Sequence, residues 1–172
     1  MSRTPVVLVS LFLMSCIIPT DPNIPDPANT PPVVEEHSET PMNRFVDIDL
    51  AAPSGPDGGA MSQERFVATV RDPDIEQALE GLVYINYDPN RPRPITFFDI
   101  PTTMSATRRV EFFVDRTIQE IVSGGCPILE LHVSRSFGPN FQPDDPDDIG
   151  KGRWFLRIQP ADGSEATCQR GM

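Results

Sequence analysis

The strongest constraint on the fold of this chain is a period-two alternation of apolar and polar residues in short runs, which begins near residue 44. Alternation of this kind is typical of strands with one buried face. Seven runs are predicted to be strands: RFVDIDL, RFVATVR, LVYINYD, PITFFDI, RRVEFFVD, ILELHVS and RWFLRIQ. The predicted inward positions are Val46, Ile48, Leu50, Phe66, Ala68, Val70, Val110, Phe112, Val114, Leu129, Leu131, Val133, Trp154, Leu156 and Ile158.

The segments between these runs are rich in proline, glycine and aspartate, and the chain has 20 prolines among its 172 residues. Two of these connecting segments, DIEQAL and RTIQEIVSG, could hold a short helical turn, but they are too short to connect parallel strands as crossover helices. We therefore predict an all-β, antiparallel β-sandwich of about seven strands over residues 44–172. The strand pattern resembles immunoglobulin-like or fibronectin type III domains, although Trp154 lies late and the usual cysteine pair across the sheets is missing. An open barrel or a jelly roll is the alternative.

The N-terminus has the layout of a secretory signal peptide. Arg3 is followed by the apolar run Val6–Met14 and then by the small residue Ser15. The apolar segment Val6–Ile18 has 13 residues, which as a helix would cover roughly 20 Å of the roughly 30 Å needed to span a bilayer. A membrane-spanning helix is therefore not predicted here, and the prolines that follow also disfavour a core element.

The motif Leu13-Met14-Ser15-Cys16 resembles the lipobox of bacterial lipoproteins. The resemblance implies a signal peptide of residues 1–15 that is cut off before Cys16. It also implies that Cys16 becomes the mature N-terminus and carries lipid on its sulfur and its amine. Because Ile17 rather than an aspartate follows, the resemblance implies the outer membrane of the cell envelope if the source is Gram-negative.

Residues 16–43 are predicted to form the lipidated N-terminus and a disordered, proline-rich linker. Seven of the 26 residues from 17 to 42 are proline, and the apolar residues follow no strand or helix period. His37 lies in this segment without metal-ligand spacing around it, so we expect it to be exposed to solvent.

The other two cysteines are Cys126 and Cys168. If Cys16 is lipidated, an even number remains in an exported protein, which favours a disulfide. Two free thiols are one alternative. A catalytic pair with His132 is another, but His132 is expected on the outer face with Glu130 and Ser134, and no third orienting group is evident.

The composition disfavours nucleic acid as a partner, because the net charge of −11 repels phosphate backbones. No phosphate-binding loop, nucleophile elbow or metal-binding histidine spacing is present, so no catalytic residue, cofactor or metal is predicted.

The aspartates Asp144, Asp145, Asp147 and Asp148 lack the spacing of a calcium loop and indicate a solvated turn. A basic and aromatic patch, Arg91, Arg93, Phe97 and Phe98, could contact a sugar or an anionic polymer. Adjacent phenylalanines, here and at Phe112 and Phe113, place one ring of each pair outward.

These observations favour a non-enzymatic, lipid-anchored envelope protein whose sandwich binds another component or contributes structurally. The expected partners are the membrane, through lipid on Cys16, and an envelope protein or glycan. The alternative is an exported carbohydrate-active or other hydrolytic enzyme that uses carboxylates from separate loops.

Overall fold

The fold is a sandwich of two β-sheets, seen in a computed structural model that describes residues 30–50, 63–118, 121, 126–160 and 168. Eight strands are present: β1 Val33–Glu35, β2 Phe45–Asp49, β3 Gln63–Arg71, β4 Leu79–Ile85, β5 Thr96–Ile100, β6 Thr107–Asp115, β7 Ile128–Ser134 and β8 Gly150–Gln159. One sheet has the order β1-β3-β6, and the other has the order β2-β8-β7-β4-β5. The all-β sandwich prediction is confirmed, and each of the seven predicted runs overlaps a strand.

One pairing differs from the antiparallel prediction. Strand β2 lies parallel to β8, with Phe45 opposite Phe155, whereas the other pairs are antiparallel. A parallel pair is possible here because most of the described chain lies between the two strands, so no tight turn has to join them. In the lettering of immunoglobulin-like sandwiches, β1, β3 and β6 have the order of strands A, B and E, and β5, β4, β7 and β8 have the order of strands C′, C, F and G, with β2 added beside β8.

The core lies between the sheets and contains Met42, Leu79, Val83, Ile85, Ile100 and Ile121 in addition to the predicted inward residues. All of them are buried except Val46 and Leu50, which are partly buried and pack against the others. Trp154 lies among them, with its ring centre 5.8 Å from that of Phe66 and 5.7 Å from that of Phe112, both edge-on. The alternation in the sequence therefore identifies the buried face correctly in the five strands for which inward residues were predicted, β2, β3, β6, β7 and β8.

Ordered structure begins within the segment predicted to be a disordered linker. Strand β1 pairs with β3, where Val34 lies opposite Val70. Farther along, the Thr40 hydroxyl accepts a hydrogen bond from the backbone N–H of Val67 at 2.8 Å, and Trp154 Nε1 donates to the Thr40 carbonyl at 2.9 Å. The predicted linker, residues 16–43, is thus corrected from Val33 onward, because the edge of β3 and the indole of Trp154 bind this segment to the sandwich. Residues 16–29 lie outside the described part.

The close approach of this segment explains a glycine in β8. A Cβ atom on Gly152 would lie 2.8 Å from Val34 Cγ1 and 3.1 Å from Met42 Sδ. A larger residue at position 152 would therefore push the N-terminal segment off the edge of the sheet.

A disulfide joins Cys126 and Cys168, with 5.3 Å between their Cα atoms, a usual separation for such a bond. Cys126 lies just before β7, and Cys168 follows the last strand by nine residues. The bond fixes the C-terminal segment to the start of β7, as the sequence predicted.

Candidate binding site on the five-stranded sheet

The outer face of the five-stranded sheet carries a group of polar and aromatic side chains. The strand register places Leu82, His132 and Lys151 in one row across β4, β7 and β8, and Tyr84, Glu130 and Arg153 in the next row. These residues alternate with the core residues of the same strands, so they point away from the other sheet.

Two loops cover this face. In the β4–β5 loop, the ring of Tyr87 lies 4.6 Å from His132 and 4.8 Å from Tyr84 between ring centres. In the β7–β8 loop, the carbonyl of Phe141 accepts a hydrogen bond from the Tyr84 hydroxyl at 3.1 Å. As a result, His132 is only 2% exposed although it lies on the outer face. We call Tyr84, Tyr87, Glu130 and His132 the buried cluster.

Both carboxylate oxygens of Glu130 accept hydrogen bonds from neighbouring side chains. His132 Nε2 donates to Glu130 Oε2 at 3.0 Å, and Arg153 donates to Oε1 through Nε at 3.1 Å and through Nη2 at 2.8 Å. Lys151 Nζ lies 6.0 Å from the ring centre of Tyr87 and adds a cation at the margin of the cluster. Both oxygens of Glu130 are thus engaged within the protein.

Burial affects the protonation of two members of the buried cluster, His132 and Tyr84. It lowers the pKa of His132, and the hydrogen bond from His132 to Glu130 opposes that shift. It raises the pKa of Tyr84, and the neighbouring Tyr87 adds to that shift. A neutral imidazole and a protonated phenol suit a packed, hydrogen-bonded layer beneath the loops. The ring of Tyr87 and the carboxylate of Glu130 thus hold His132 beneath the loops.

Two clefts open beside the buried cluster. The loop cleft, about 350 Å³, lies between the β4–β5 and β7–β8 loops, and its lining is Pro89, Asn90, Pro92, Pro139, Asn140, Phe141 and Gln142. The edge cleft, about 250 Å³, lies where β8 extends past β2, and its lining is Val34, Met42, Asn43, Glu130, Lys151, Gly152 and Arg153. The loop cleft is within the size range of small-ligand sites.

The wall of the loop cleft contributed by β7–β8 is a tight hairpin. Phe137 and Pro143 form a bridge, Gly138 N–H donates to the Gln142 carbonyl at 2.8 Å, and Phe141 N–H donates to the Gly138 carbonyl at 2.9 Å. Gln142 Nε2 reaches the Tyr87 hydroxyl at 3.4 Å. These bonds hold the hairpin over the sheet and connect it to the opposite loop.

The opposite wall is held by an aspartate turn. Asp88 Oδ1 accepts hydrogen bonds from the backbone N–H of Asn90 at 2.9 Å and from Asn90 Nδ2 at 3.2 Å. The backbone N–H of Arg91 donates to the Asp88 carbonyl at 3.1 Å. Both walls of the loop cleft are therefore shaped by hydrogen bonds inside the protein before any ligand arrives.

The aspartates singled out in the sequence do not converge. Asp144 accepts a hydrogen bond from the Ser136 hydroxyl at 2.7 Å, and Asp145 accepts one from the backbone of Asp147. The prediction of a solvated turn is wrong for Asp148, which is buried and accepts hydrogen bonds from the side chain and backbone of Arg135. Among the residues that the structure describes, no three His, Cys, Asp or Glu side chains are grouped closely enough to hold a metal ion.

The phenylalanine pairs are arranged as predicted, with one ring of each pair outward. Phe97 is 54% exposed and Phe113 is 44% exposed, whereas Phe112 is buried and Phe98 packs against the core. Other predicted residues lie apart from the two clefts: His37 is half-buried beside Glu39, and Cys16 falls outside the described part.

The sequence did not identify the buried cluster or the loop cleft. Tyr84 and Tyr87 were assigned only to a strand and its end, and the hairpin segment FGPNFQPDD only to a turn. One available signal was the aromatic Phe141 directly after the turn sequence GPN, where glycine is usual.

Comparisons with known proteins add no assignment, since no protein-family model and no curated protein matches the chain. Within the described segments, none of the helices has the length and apolar character needed to cross a bilayer.

Proposed function

We propose that this protein is an exported, lipid-anchored binding module of the cell envelope, held through Cys16 and acting through the outer face of its five-stranded sheet without catalysis. The disulfide between Cys126 and Cys168 is the observation that carries the proposal. Disulfides persist in oxidising compartments and are rare in the cytosol. Since the chain has three cysteines, this bond leaves Cys16 for a different role.

The geometry of the site supports binding rather than catalysis. In the pair with acid–base character, His132 is buried beneath the loops, and both carboxylate oxygens of Glu130, which lines the edge cleft, already accept hydrogen bonds from His132 and Arg153. What faces solvent instead is a preformed cleft with amide, proline and aromatic side chains. Rigid walls and neutral hydrogen-bonding groups favour recognition at small entropic cost.

The hydrolase alternative draws little support from the described loops. A glycoside-hydrolysing site needs two carboxyl groups that face each other across the substrate. Asp144 and Asp145 bond within their own turn, and Asp148 is buried against Arg135. None of these three carboxylates lines either cleft.

The anchor is tested by expressing the full chain in a bacterium supplied with labelled palmitate. We expect the label on the mature protein, cleavage before Cys16, and partition into the detergent phase. Cys16→Ala should abolish the label and leave the precursor uncut by the lipoprotein peptidase. The matched control is Cys168→Ser, which also removes one thiol but should keep the label.

Normal maturation and membrane partition of the Cys16→Ala protein would show that the anchor proposal is wrong. The binding role is tested separately by chemical crosslinking in intact envelopes, followed by recovery of the protein. Recovery without any specific crosslinked partner or glycan would contradict a binding role and leave the anchor untouched.

A further inference from the structure

We propose that the loop cleft binds a neutral saccharide, with Phe141 as its stacking platform. This inference rests on the binding role proposed above and not on the anchor. None of the seven residues that line the cleft has an ionisable side chain, although the chain as a whole has a net charge of −11. A site without charge in so acidic a protein favours an uncharged ligand over a cationic or an anionic one.

The polar groups of the cleft are suited to hydroxyl groups. Asn90, Asn140 and Gln142 each offer an amide, which has an acceptor oxygen and two N–H donors and can pair with a hydroxyl in either direction. Asn90 and Asn140 come from opposite loops, so a ligand between them is contacted from both sides. A small-ligand site with a few convergent polar groups and an apolar wall fits this arrangement.

The apolar wall is the ring of Phe141, which is 41% exposed. The face of an aromatic ring carries partial negative charge, and the C–H groups of a pyranose face carry partial positive charge, so the two surfaces attract each other. Pro139 and Pro92 complete the apolar part of the lining without adding charge. The combination of one open ring with several amides indicates a polyhydroxylated ligand that has one apolar face.

The backbone of Phe141 gives independent evidence for a role in binding. Its φ is 57°, in the left-handed region that glycine adopts freely and that is unfavourable for a bulky aromatic residue. Phe141 is the last residue of the Gly138–Phe141 turn, at the hairpin position where glycine is usual. Because 41% of the residue remains exposed, burial offsets this conformational cost only in part. Strain of this kind is concentrated at functional sites.

The test is a two-dimensional NMR titration of the full chain carrying Cys16→Ala, which removes the proposed lipid. The probes are neutral oligosaccharides of glucose, mannose and N-acetylglucosamine, each compared with a sulfated counterpart. We expect at least one neutral probe to bind with a Kd of about 1 mM or tighter and to shift the amide signals of the two loops. Its sulfated counterpart should bind more weakly.

The decisive variant is Phe141→Gly, because it separates binding from folding. Glycine relieves the left-handed strain, so the thermal midpoint should stay equal or rise, while affinity should fall at least about tenfold. Phe141→Tyr keeps the ring and should keep binding. Phe113→Ala removes an equally exposed ring from the other sheet and should leave affinity unchanged.

Three results would overturn the inference: no shift with any neutral probe, preferential binding of the sulfated probes, or affinity that survives Phe141→Gly. If lipid labelling succeeds while these titrations fail, the saccharide inference is wrong and the anchor stands. If envelope crosslinking also returns no partner, the binding role is wrong as well.

Discussion

The disulfide should supply a large part of the stability of the domain. We expect the double variant Cys126→Ser/Cys168→Ser, made in the Cys16→Ala background, to lower the free energy of unfolding by about 4 kcal/mol. The two cysteines are 42 positions apart. In the chain-entropy treatment, a closed loop of that length removes enough freedom from the unfolded chain to stabilise the folded state by about 4 kcal/mol.

The assay is urea denaturation followed by tryptophan fluorescence. Trp154 is the only tryptophan of the chain and is fully buried, so its emission reports the loss of the core without interference. With a slope of about 2 kcal/mol per molar urea, the expected loss moves the midpoint down by about 2 M. Reductant should move the midpoint of the Cys16→Ala protein to that of the double variant.

The double variant itself provides the control, since reductant should not change its midpoint. A shift of less than about 0.5 M between the oxidised and reduced forms would refute the reasoning, because most of the expected 2 M would be missing. A double variant that unfolds with a clearly different slope would show that the bond acts on the compactness of the unfolded chain as well.

Two further predictions concern the sheet. Burial lowers the pKa of His132 in the folded protein. As the pH falls below about 6.5, the imidazole of the unfolded chain therefore binds a proton before that of the folded protein does. The free energy of unfolding should then decrease by up to about 1.4 kcal/mol per pH unit. His132→Gln should flatten this part of the profile in urea titrations from pH 7 to 5, and an unchanged slope would contradict the assignment. A Cβ on Gly81 would lie 2.5 Å from Phe98 Cζ, so Gly81→Ala should cost about 1–3 kcal/mol in the same assay. Phe98→Leu should recover part of that loss, and full additivity of the two changes would argue against the clash.

The sequence was sufficient for the strands and their buried faces, because alternation depends only on neighbouring residues. It was insufficient where distant segments decide the outcome. Val33–Glu35 is too short to signal a strand, and the edge of β3 gives it a pairing partner. His132 was assigned to the correct face, but its burial depends on loops whose fold no local pattern encodes. The parallel partner of β2 likewise comes from the far end of the chain.

Strand β1 also determines where a force that pulls on an anchored domain would act first. From Cys16 to Val33 there are 17 residue steps, so a lipid at Cys16 could lie at most roughly 60 Å from the start of β1. A pulling force would act first on the three residue pairs that join β1 to β3, and next on the Thr40–Trp154 hydrogen bond. Detaching β1 would add roughly 25 Å to the maximum distance between the lipid and the sandwich before the force reached the core. If the domain is anchored through Cys16, the segment from Val33 to Thr40 would therefore detach before the five-stranded sheet is distorted.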